Sequence, residues 1–270
     1  MRNCFLGLIF VVGAILAFSP VIPAQSVPKA GAAKGIPDLS GVWDNSAGPP
    51  SPAEGITGPG YAFELLGRGG IPRQAFLTKD DPQPSMQPGA LEKFNTNKEG
   101  LVIKDGATND PNILDPRMSC FPPGPTQFYT IPFPVEIQQR PDQVLLLFEY
   151  DHWVHRIYLD AKGHPDGYPI TWMGHSIGKY DGDTLVVDTV GMNDKTWLDS
   201  VGHPHSEALR LVERYRRLTH DALEIQFLFD DPKTYTKPWT GKKILQRMPP
   251  AYRVMEHIAC EDYLELGKHR

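Results

Sequence analysis

The chain has 270 residues, a formal net charge of −5 and 27 prolines. A mildly acidic sequence without a basic run carries no electrostatic footprint for nucleic acid, which excludes that partner class. The length suits one large domain with an extended arm.

The first residues, MRNCFLGLIFVVGAILAFSPVIPAQS, predict a secretory signal peptide over 1–24. Arg2 supplies the positive start, and Phe5 to Phe18 is an apolar run too short to span a bilayer comfortably. Pro20 and Pro23 break any helix, and Ala24 offers a small residue for cleavage. An uncleaved anchor is the alternative. Cleavage leaves no membrane span and places the protein in the periplasm or outside the cell. Cys4 precedes the apolar run, unlike a lipobox cysteine, and leaves with the signal. Cys120 and Cys260 are then a disulfide candidate in an oxidising compartment, with two buried thiols as the alternative. Without a CxxC they make no structural zinc site.

Residues 25–37 are small and polar with prolines, and read as a flexible N-terminus. Leu39 to Trp43 is a short strand. Residues 38–134 form this strand plus an irregular arm, because Pro and Gly recur too densely between Gly48 and Pro134 for regular structure. A helix is expected at about Gly89 to Lys98, where Leu91 and Phe94 lie three apart. Tyr61, Phe63, Leu65, Leu66, Phe76, Phe128 and Tyr129 need cover, so the arm should wrap a rigid body.

From Val135 the texture changes, and 135–265 reads as the β domain. Runs rich in β-branched and aromatic residues recur between turn signals. They are Gln143–Tyr150, Trp153–Asp160, Thr171–Tyr180, Asp183–Val190, Glu207–Leu218, Ala222–Phe229, Lys242–Met248 and Tyr252–Cys260. Asp181-Gly182 is a hairpin signal. Leu223, Ile225, Phe227 and Phe229 alternate with Glu224 and Gln226, as in a strand with one buried face. No long helix intervenes, which argues against parallel βαβ units. The expected fold is mainly β, an antiparallel up-and-down barrel or curved meander with a long Pro/Gly-rich N-terminal arm.

Gly41-Val42-Trp43, on a first strand ahead of a meander, resembles the G-x-W of lipocalins and related calycin barrels. The DLSGVW start, the GHSIG-x-x-x-GDTLVVDT block and the GHPHSEALR-x-x-ERYRR block resemble exported bacterial proteins of unassigned function. The resemblance covers most of the chain beyond the signal and implies a lipocalin-like barrel. It brings no reaction with it.

Gly174-His175-Ser176-Ile177-Gly178 matches the G-x-S-x-G of a hydrolase nucleophile elbow. That elbow needs a strand before the serine and a helix after it. Here another strand follows, so the glycines are read as a bulge or close packing, and the serine-hydrolase reading stands last. His203, His205 and Glu207 are spaced i, i+2, i+4. If Glu207 starts a strand, all three share a face with Leu209, Leu211 and Tyr215, toward the barrel interior. His175, His205 and Glu207 are therefore the catalytic candidates, with Glu207 orienting His205 for proton transfer. His175, His203 and His205 could alternatively bind zinc or copper, and no cofactor follows with certainty. Arg156, Trp172, Trp197 and Tyr215 are the substrate-binding candidates, although Arg156 equally suits an outward rim position. The expected function is His-centred acid–base catalysis on a small molecule in the barrel mouth. The alternatives are a non-catalytic ligand-binding barrel and a metal-dependent enzyme. Oligomeric state is not legible.

Overall fold

The computed structural model describes residues 36–44, 63–66, 72–73, 76–77, 81–99 and 115–256. The expected signal peptide, Cys4 and Cys260 lie outside the described residues. The N-terminal part contributes β1 (Gly41–Asp44), a small hairpin of β2 (Phe63–Leu66) with β3 (Pro72–Arg73), and α1 (Pro88–Glu99). A short helix α2 (Gly124–Gln127) runs directly into a 3-10 turn at Phe128–Thr130. The strands β4 (Val135–Gln139), β5 (Gln143–Phe148), β6 (Val154–Tyr158), β7 (His175–Asp181), β8 (Thr184–Val190), β9 (Arg210–Arg217), β10 (Ala222–Asp230) and β11 (Trp239–Arg247) follow.

These strands and β1 close into a barrel in the order β1-β11-β10-β9-β8-β7-β6-β5-β4. The expected barrel is present, with one correction to its expected antiparallel form. β6 and β7 run parallel, pairing Ile157 with Ser176 and Tyr158 with Ile177, while every other neighbouring pair is antiparallel. Strand direction alternates around an all-antiparallel ring, so such a ring closes only with an even number of strands. Nine strands require one parallel seam. The 159–174 connection provides it by crossing over before β7 instead of turning back as a hairpin.

The seams elsewhere follow ordinary turn chemistry. Gly182 takes φ +59 in the turn between β7 and β8, as the Asp181-Gly182 signal requires. Pro249 and Pro250 lie just past β11, where neither can donate to a ladder. Val135–Gln139 was not expected as a strand. Tyr252 to Glu256, expected to begin one, is not in a strand.

The core sits inside the barrel. Trp43, Ile137, Leu146, Ile157, Leu185, Leu211, Ile225 and Leu245 are all buried there. Part of the arm enters one end: Phe128 stacks on Phe148 at 3.9 Å, and Tyr129 meets Phe148 and Phe227 edgewise or tilted. Phe76 packs over Gly241, where a Cβ would lie 2.4 Å from that of Phe76. Among the described residues, no helix is long and apolar enough to cross a membrane.

Candidate functional site

The loop from Asp194 to Ser206 is suspended over the plugged end by bonds to α2 and to the β10–β11 connection. Thr126 Oγ1 donates to the Leu198 carbonyl at 2.8 Å, and Tyr235 donates to the Pro204 carbonyl at 2.7 Å. The Asp231 carboxylate accepts from the Ser206 amide and hydroxyl, each at 2.7 Å. α1 lies across this loop. Phe94 stacks on His203 at 4.5 Å, and Asn97 donates to the Gly202 carbonyl at 2.8 Å.

Between α1, Pro116 and residues 194–197 lies a cleft of about 520 Å³. Lys93 and Asn97 line it from α1, and Lys195, Thr196 and Trp197 from the loop. Thr196 Oγ1 lies 2.7 Å from His205 Nε2. The other ring nitrogen, Nδ1, is 3.3 Å from the Ser206 carbonyl, which only accepts. Nδ1 therefore carries the proton, and Nε2 presents a lone pair to the threonine hydroxyl. Burial pushes the His205 pKa down to about 4, with Lys93 adding to the fall. The ring is neutral at neutral pH, as a base must be to accept a proton. A hydroxyl, a base and a group orienting that base form the signature of an activated hydroxyl. Gly124, at φ +74, lets the plug approach this hydroxyl, because a Cβ there would lie 2.9 Å from Thr196 Oγ1. At the rim, Lys195 Nζ sits 5.9 Å from the centre of the Trp172 ring, which stacks on the exposed Phe121 at 5.4 Å.

The other expected site residues are dispersed. His175, His203 and His205 do not converge, and among the described residues no group of three His, Cys, Asp or Glu side chains could hold a metal ion. His203 donates Nδ1–H to Asp199 at 2.7 Å and lies under Phe94. His175 precedes the inward-facing Ser176, so it faces out of the barrel, against Tyr158, His164 and Tyr168. Glu207 does not orient His205. It is exposed in a turn, because β9 begins only at Arg210, and the Ser206 carbonyl takes the orienting role. Arg156 is exposed on the outer face of β6, away from the cleft. Tyr215 does point inward but is sealed in the core, donating to Glu213 at 2.8 Å and bonded to Tyr129 at 2.8 Å. Trp197 lines the cleft and Trp172 stands at its rim.

Ser176 is buried, in contact with His155 Nε2 at 2.6 Å and Thr189 Oγ1 at 2.7 Å. Neighbouring ladders enclose it and it does not line the cleft, so the G-x-S-x-G context fails as expected. The two glycines have structural reasons instead. Gly174 adopts φ +69, and a Cβ on Gly178 would lie 2.7 Å from Ile157. Cys120 is disulfide-bonded. Its expected partner, Cys260, lies outside the described residues.

Sequence reasoning missed Thr196, Lys93 and His164. Thr196 and His164 lie in loops without hydrophobic periodicity, and Lys93 sits on the polar face of a short helix. No family model matches the chain, and no curated protein matches it.

Proposed function

We propose that the protein is an exported enzyme that acts on a small molecule by His-centred proton transfer, with the Thr196–His205 pair as its reacting groups. The observation carrying this reading is a neutral, oriented histidine holding a hydroxyl at 2.7 Å on the wall of a 520 Å³ cleft. His205 would take the Thr196 proton as the hydroxyl, or a substrate group in its place, reacts at the cleft. Lys93 and Lys195, on opposite walls, would attract developing negative charge. Trp197 and the Phe121–Trp172 stack offer apolar surface for the rest of the substrate. Export rests on the leader sequence, and the bridge we propose for Cys120 is to Cys260.

The test is a turnover screen of the tag-free mature chain against aryl esters, lactones and small hydroxylated substrates, followed by variants. His205→Asn and Thr196→Val should each lower kcat by about 10²–10⁴-fold. Thr196→Ser should retain most of it. Undiminished turnover in His205→Asn would remove the histidine from the reaction and leave the cleft as a binding site without catalysis.

A further inference from the structure

Outside the cleft, one pair of titratable side chains has a geometry that packing alone does not require. His164, in the 159–174 crossover, places Nδ1 2.9 Å from Nδ1 of His175 at the start of β7. The rings stand nearly perpendicular, at 75° and 5.1 Å between centres. Behind His164 lies Asp188 of β8, with Oδ2 3.6 Å from His164 Nε2. Arg210 Nε and Nη2 hold the same carboxylate at 2.9 and 2.7 Å.

The protonation pattern follows from these contacts. Asp188 lies beyond hydrogen-bond distance of Nε2, which has no hydrogen-bond partner among the described residues, but its charge favours the tautomer with hydrogen on that nitrogen, which leaves a lone pair on His164 Nδ1. His175 Nδ1–H then donates to it. A carboxylate behind a histidine whose far nitrogen carries a free lone pair is the usual outer arrangement of a metal-ligating imidazole. Moving the His175 proton to its own Nε2 frees a second lone pair facing the first. A turn of the partly exposed His164 ring would aim both lone pairs at a metal ion beside the line between the two nitrogens. His164 keeps a fifth of its side chain in solvent, which gives an ion a way in.

We infer that His164 and His175 form a two-imidazole site for a divalent transition metal of tetragonal preference, copper(II) above zinc(II). The affinity order of divalent metals for imidazole sets the preference. Two nitrogens each about 2.0–2.1 Å from an ion lie about 2.9 Å apart at a right angle, and about 3.3 Å apart at a tetrahedral one. The observed 2.9 Å is the length of the present hydrogen bond, and a right-angle pair would keep that separation. The pair supplies two ligands and is not a three-residue group. Water completes the coordination. Tyr158 stacks on His175 at 5.3 Å and Tyr168 packs at 4.6 Å, fixing the ring that must not turn away. The site is distinct from His203 and His205 and does not enter the proposed reaction.

Copper(II) titrated into the tag-free, metal-stripped mature chain tests this inference. One equivalent should bind, with an electron paramagnetic resonance spectrum showing two equatorial imidazole nitrogens. His164→Asn and His175→Asn should each weaken binding at least tenfold and remove one nitrogen from the spectrum. Asp188→Asn should weaken it about 10–100-fold with both nitrogens retained. His220→Asn, in an exposed turn, should change nothing. His164 is partly exposed, so its variant should fold even if His175→Asn does not. Copper binding unaltered by His164→Asn would overturn the proposal, as would the absence of one-to-one binding at micromolar concentrations.

Discussion

Burial decides the chemistry of individual side chains in this barrel, and Glu213 is the strongest case. Its Oε1 accepts from Tyr215 at 2.8 Å, and the residue is fully buried. Burial pushes its pKa from 4.5 up to about 8, outweighing the Tyr215 bond that acts the other way. The carboxyl is therefore neutral in the folded protein at pH 7, while in the unfolded chain it ionises above about 4.5. Its contribution to stability is whole below pH 4.5 and is lost as pH rises toward 8, by on the order of a few kcal/mol. Glu213→Gln keeps the shape without the ionisation. Thermal melts from pH 5 to 8 should show wild type losing ground to this variant as pH rises. Parallel pH profiles would place the ionisation elsewhere. His155 and His205, each pushed to about 4 by burial, lose stability in the opposite direction, below about pH 6.5, in both proteins. They cancel from the comparison. A contrasting residue is His220, whose side chain is 77% exposed beside Asp221. His220→Ala should change stability by less than about 0.5 kcal/mol and leave turnover intact, whereas His205→Asn should lower kcat by about 10²–10⁴-fold without abolishing the fold.

The strands were legible in the sequence wherever one face alternates with the other. β10 shows this most plainly, with Leu223, Ile225, Phe227 and Phe229 buried and Gln226 and Leu228 exposed. The same parity, applied to β9, put Leu211 and Tyr215 inside and so implied Glu213 between them. The Pro/Gly-rich arm was legible as irregular, but not as the part that builds the cleft. Pro116, Gly124 and α1 meet the 194–206 loop through contacts far apart in sequence, which no local period encodes. His203, His205 and Glu207 do not share a strand face, for a local reason. Glu207 lies in a turn instead of a strand, and the assumed i, i+2, i+4 face did not exist. In the G-x-S-x-G block a strand, β8, follows β7 where an elbow needs a helix; Gly174 lies against Val190 and Met192, and Gly178 serves the β6–β7 seam. Gly178 admits Ile157 and Leu159 against the strand, at 2.7 and 3.1 Å from a notional Cβ. Gly178→Ala should therefore overpack that seam and cost about 1–3 kcal/mol in denaturant unfolding. A neutral result would mean the strands separate without penalty.

At the scale of the whole molecule, the nine-strand closure has two short seams: β1–β11, paired at Trp43–Arg247 and Asp44–Gln246, and the parallel β6–β7. β10 pairs with β11 along Ala222–Phe229 and with β9 along Leu223–Asp230, nearly its full length on both sides. β6 and β7 share only the Ile157–Ser176 and Tyr158–Ile177 partners. Side chains supplement this seam where backbone bonds are few. His155 Nε2 meets Ser176 Oγ across it inside the barrel, and Tyr158 stacks on His175 outside. Local opening follows the least-bonded units, so β6–β7, like β1–β11, should open before the barrel unfolds globally. Native-state hydrogen exchange should show amides of β6 and of the His175–Ile177 end of β7 exchanging faster than those of β9, β10 and β11. The β10 amides should track global stability. Ser176→Ala removes the partner of a buried imidazole whose other nitrogen, Nδ1, has no hydrogen-bond partner among the described residues. It should speed exchange at the seam while leaving β10 protection lowered only by the global change, about 1–3 kcal/mol. Uniform acceleration across all strands would mean that the seam opens only with the whole barrel. Selective acceleration at β6–β7 would establish the parallel pair as a place where this closed sheet gives way ahead of its long antiparallel ladders.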